Sequence, residues 1–72
     1  MELDRAVDLI KDVLDLGVTR IALDSFSDAT DWGVTIYQLE DEDIGIIDAV
    51  WQLVTDDDLD PWTDFEEGVL IR

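Results

Sequence analysis

The chain has 72 residues, of which 20 are Asp or Glu and 4 are Lys or Arg, with no His and a formal net charge of −16. That length supports one domain, residues 1–72, with one core, and the charge argues against nucleic acid, nucleotides and anionic lipid as direct ligands. Hydrophobic residues make up 47% of the chain, so it is expected to fold despite its charge.

Residues 2–16 read as a helix: Leu3, Ala6, Val7, Ile10, Val13 and Leu14 recur at three-and-four spacing, and Gly17 stands where a left-handed C′ residue belongs. Asp4, Asp8, Asp12 and Asp15 fall on the opposite face, with Arg5 and Lys11 as its basic residues. Residues 18–26 alternate as a strand, with Thr19, Ile21 and Leu23 on one side and Arg20, Ala22 and Asp24 on the other. A polar turn then leads into a second strand over residues 32–39, and the two form a hairpin.

Glu40, Asp41, Glu42 and Asp43 precede a periodic segment, where carboxylates satisfy free amides and suit the positive end of a helix dipole. A second helix over residues 43–55 follows, with Ile44, Ile47, Val50, Trp51 and Val54 on its apolar side. A strand is the competing reading, because the segment is rich in β-branched residues and Gly45 weakens a helix by about 1 kcal/mol. Residues 56–67 read as an acidic connection in which Pro61 opens a short helical turn capped by Asp60, and residues 69–71 as a last strand. The expected fold is α+β: a small antiparallel sheet of about three strands with two helices on one face, in the order α-β-β-α-β.

The acids are 15 Asp and only 5 Glu, although Glu is the better helix former. Asp holds its carboxylate close to the backbone with little side-chain freedom, which suits a rigid array. On a helix, Asp4, Asp8 and Asp12 stand about 6 Å apart along the axis, a spacing close to that of phosphates along a nucleic-acid strand. Glu40 to Asp43 and the acids Asp56, Asp57, Asp58 and Asp60 extend such a track. These residues are the candidate contacts for a basic, nucleic-acid-binding protein partner. Trp62, in the same acidic loop, is the candidate anchor, since Trp is enriched among interface hot spots; packing over the hydrophobic face is its other reading. Trp51 belongs on the apolar helix face.

In length, extreme acidity and lack of Cys the chain resembles, as a class, the small acidic inhibitors that phages and plasmids use against nucleic-acid enzymes: anti-restriction proteins, uracil-DNA glycosylase inhibitors and several anti-CRISPR proteins. The resemblance rests on whole-chain composition and the Asp4, Asp8, Asp12, Asp15 series. It implies a non-enzymatic mimic of DNA that blocks the basic groove of a CRISPR effector or restriction enzyme, near the site that receives the protospacer-adjacent motif.

Two other readings compete. Adaptation to high salt produces acidic, lysine-poor surfaces for the sake of hydration, and would make the chain a small interaction or regulatory domain. A calcium loop of the EF-hand type would use Asp56, Asp58, Asp60, Asp64 and Glu67, with the Trp62 carbonyl at position 7. Against it, Pro61 occupies the position that needs glycine, and too few residues follow Glu67 for an exiting helix.

No cofactor is expected. Without His or Cys the usual acid-base and nucleophilic arrangements are absent, and a carboxylate pair acting on a glycoside would need a larger cleft than a domain of this size provides. The absence of Cys suits a reducing cytoplasm. No basic leader is visible and no run approaches 18 apolar residues, so membrane insertion is not expected.

Overall fold

The helical period at the start of the chain is realised as α1, Leu3–Leu16, in a computed structural model that describes residues 1–26, 30–65 and 68–72. Gly17 ends the helix at φ 106°: its N–H donates to the Leu14 carbonyl while the Val18 N–H reaches back to the Val13 carbonyl, a Schellman closure. The buried face is Ala6, Leu9 and Val13. Leu3 and Leu14, which the periodicity assigns to that face, are 42% and 50% exposed. They lie on its flank, because the helix is rolled so that Leu9 points at the sheet.

The expected hairpin forms, from β1, Ile21–Phe26, which begins three residues later than the alternation suggests, and β2, Asp31–Tyr37, in antiparallel register with Ile21 opposite Ile36 and Leu23 opposite Val34. The second strand ends two residues early because Gln38 adopts a left-handed conformation, φ 53°, and turns the chain into a 3₁₀ turn, Leu39–Asp41. The helix-or-strand ambiguity of the next segment is resolved as α2, Ile44–Asp56. Asp43 starts it: its carboxylate accepts from the Gly45 N–H at 2.8 Å and its carbonyl from the Ile47 N–H at 3.0 Å. Gly45 thus sits in the first turn, where its amide serves the cap and its low helix propensity costs least.

The sheet has four strands, one more than the sequence suggests. The segment read as a helical turn at Pro61 is instead β3, Pro61–Phe65, which pairs antiparallel with β4, Gly68–Ile71. The pairing starts one step earlier, where Asp60 and Arg72 exchange N–H to O=C bonds of 3.2 and 3.0 Å. Pro61 is tolerated because it is the first residue of an edge strand, where no ladder donor is required. β4 also pairs with β2, so the strand order is β1-β2-β4-β3.

Both helices pack on one face of this sheet. Val34, Ile36, Val69 and Ile71 point from β2 and β4 into a core completed by Ala6, Leu9 and Val13 of α1 and by Val50 and Val54 of α2. The helices run antiparallel: Arg5 near the start of α1 donates to the carbonyl of Asp57, just past the end of α2, while Gly17 beyond α1 lies beside Ile46 at the start of α2. The opposite sheet face carries a second, smaller cluster. There the Arg72 guanidinium lies 4.7 Å from the centre of the Phe26 ring and 5.3 Å from that of Trp62, and Thr35, 1% exposed, donates to Asp24 at 2.9 Å.

Candidate functional site

Burial of Ala6, Leu9 and Val13 fixes which side of α1 meets solvent. At 3.6 residues per turn, Asp4, Asp8, Asp12 and Asp15 then fall within about 80° of arc, and all four are exposed. They form a ridge along the helix, with Lys11 on its border.

The antiparallel pairing of the helices gathers further acids at both ends of this ridge. The bond from Arg5 to Asp57 holds Asp56, Asp57 and Asp58 beside the start of α1; all three are exposed, and Asp56 accepts from the Gln52 amide at 3.0 Å. The approach of Gly17 to Ile46 brings the Asp15 end of α1 toward the start of α2, preceded by Glu40, Asp41, Glu42 and Asp43. Glu40, Asp41 and Asp43 are exposed and Glu42 is half-buried. On α2 itself, Asp48 is exposed as well, a carboxylate on the polar side of the expected second helix that is not among the candidate contacts.

Asp60 and Trp62 do not join this surface. Trp62 is opposite Leu70 on the helix-free face of the sheet, 50% exposed, and its indole N–H donates to the Asp60 carboxylate at 3.1 Å. The physical cause is β3 itself: once Pro61–Phe65 is a strand, alternation turns Trp62 away from the helices.

Asp31 marks the same face. Its carboxylate receives the N-terminal ammonium of Met1 at 2.6 Å and Arg72 at 2.7 Å. The ammonium hydrogen bond first, and the Arg72 bond second, hold its carboxyl below the usual carboxylate range. Among the described residues these are the ion pairs, so no carboxylate of the helix layer is held in one; Arg5, on the Asp57 carbonyl, and Lys11 are the cations within that layer. Asp31, with partners 30 and 41 residues away, gave no local signal in the sequence.

The residues of the expected calcium loop are divided among different elements. Asp56 closes α2, Asp58 lies in the turn after it, and Asp60 is engaged by Trp62. Glu67 and the side chain of Asp64 lie outside the described residues. Among the described residues no group of three or more acids is placed to hold a metal ion, and no helix is long and apolar enough to cross a membrane. No protein-family model, curated protein or solved structure matches this chain.

Proposed function

We propose that the protein is a non-enzymatic inhibitor that lays its acidic helix layer into the basic groove of a nucleic-acid-binding protein and excludes DNA from it. A CRISPR effector or a restriction enzyme, met in the cytoplasm, is the class of target. The observation that carries the reading is the ridge of Asp4, Asp8, Asp12 and Asp15, exposed on one side of α1 and extended at both ends by acids from the flanking segments. A charge array held on a helix loses little freedom when it binds, so more of the counterion release from both surfaces appears as affinity.

Position supports a role beyond solubility. Asp12 and Asp15 stand near the C-terminal end of α1, and Asp56 to Asp58 stand at the end of α2, where the helix dipole disfavours negative charge. Neither last turn contains a basic residue, although Arg5 reaches across from α1 to the Asp57 carbonyl at the end of α2.

The test is competition with target DNA for a purified effector on a salt ladder from about 50 mM to about 200 mM, a span over which phosphate-like contacts lose most of their affinity. Inhibition should fall steeply with salt, and the double variant Asp8→Lys/Asp12→Lys should inhibit at least about tenfold more weakly. Salt-independent inhibition, or full potency in the double variant, would end this reading. A chain that folds only in molar salt would point instead to a salt-adapted interaction domain.

A further inference from the structure

Beside the acidic layer is a concavity of about 250 Å³, bounded by Leu39 and Glu40 of the 3₁₀ turn, Ile47 and Trp51 of α2, and Val69 of β4. The αL residue Gln38 ends β2 and starts the 3₁₀ turn, whose Leu39 packs into the core, and the concavity lies between that turn and α2 beside Val69. Its volume is below the range of sites for drug-sized ligands, about 300–1,000 Å³, and suits a single inserted side chain.

The lining has two parts. Leu39, Ile47, Trp51 and Val69 make a mainly apolar lining that includes one indole, and the exposed acid Glu40 borders it. Asp41, Glu42 and Asp43 follow Glu40 directly. The cations of the chain are engaged elsewhere or stand apart: Arg5 on the Asp57 carbonyl, Arg20 on the Gln38 amide, Arg72 on Asp31, and Lys11 on α1. An apolar occupant would use the walls but gain nothing from Glu40 and the acids that follow it. An arginine satisfies both parts: its methylenes cover the aliphatic walls, and its guanidinium can stack on an indole while donating to a carboxylate.

We propose that this concavity is an arginine-capturing pocket, in which one arginine side chain of the basic partner is seated against Trp51 and bonded to Glu40. The proposal rests on the reading that the partner is basic, and adds a short-range anchor to a long-range charge field. Arginines that fill pockets are frequent hot spots, and a single anchor fixes the register that a uniform charge ridge leaves free to slide.

The experiment is an NMR titration of the isotope-labelled full chain with three probes: N-acetyl-arginine methylamide, its neutral isostere N-acetyl-citrulline methylamide, and an oligo-arginine peptide. Saturable shifts of the Trp51 indole N–H and of the Leu39 and Val69 methyls with the arginine amide are expected. Binding should be about threefold weaker for the citrulline compound, and for the arginine amide with Glu40→Gln, the loss of one partly exposed charge pair. Equal binding of the two amides, or no saturable shift at Trp51, overturns the pocket. If the oligo-arginine peptide then shifts only the Asp4 to Asp15 side of α1, the acidic-layer reading stands without the pocket. If it shifts nothing at low salt, both fall.

Discussion

Two glycines show how the same residue type does different work. At Gly17, φ 106° requires left-handed backbone, but an added Cβ would meet only the Ile46 methyl at 3.5 Å. Gly17→Ala should therefore cost the conformational term alone, about 1 kcal/mol. At Gly68, opposite Tyr37 in the β2–β4 pair, an added Cβ would run into the Ile36 carbonyl oxygen and stand 2.9 Å from the Tyr37 Cα. Those atoms are backbone of the central strand and have nowhere to move, so Gly68→Ala should cost more than about 3 kcal/mol. Urea denaturation of both variants checks the ranking. The Asp31 carboxylate supplies a second residue-scale prediction. Its folded pKa is lowered, so within the window between that value and the ordinary Asp value near 3.9 the unfolded chain binds more protons. Its contribution is complete above the ordinary value and is lost as pH falls through the lowered one. Asp31→Asn should accordingly melt at a lower temperature than the parent chain at neutral pH, with the gap closing in acid. A gap of constant size from pH 7 to pH 2 would remove the ionic explanation.

At the scale of elements, α1 both anchors the core and carries the ridge, and the two roles pull apart at its C-terminal end. Asp15 is exposed, in the last turn, with no basic neighbour in that turn. Asp15→Lys should stabilise the fold by about 0.5 kcal/mol through the helix dipole and at the same time weaken inhibition, a pairing that neither a solubility role nor a stability role produces. Denaturation and competition measured on one preparation read both. The period of α1 and α2 was legible because amphipathic helices repeat locally, every three or four residues. What the period left open was the roll of each helix, and so Leu3, Leu14 and Ile44 were assigned inward although they are 42%, 50% and 76% exposed. β3 was hidden for a different reason: four acids between residues 56 and 60, followed by Pro61, carry the signature of a loop, and only pairing with β4 makes Pro61–Phe65 a strand.

For the molecule as a whole, net charge is the governing quantity. The described residues extend 35 × 23 × 20 Å, comparable with the screening length of about 30 Å in 0.01 M salt and well above the 8 Å of physiological salt. At low salt every carboxylate therefore repels every other, and the fold bears the cost. The melting temperature should rise between about 10 mM and about 150 mM NaCl and rise little beyond, because the remaining repulsion is short-ranged. A flat profile in differential scanning calorimetry would show that self-repulsion is not a material cost.

The sequence by itself determined that acids occupy the solvent side of α1 and that the class is α+β, since each follows from spacings of a few residues, whereas it left the segment after Asp43 open between helix and strand. Tertiary structure alone decided that the acid clusters around residues 40–43 and 56–58 lie at opposite ends of one helix layer, that Asp60 and Trp62 face away from it, and that Asp31 joins Met1 to Arg72. Those relations depend on which distant segments meet. Burial of Val34, Ile36, Val69 and Ile71 under both helices selects the meeting, and no local pattern encodes it.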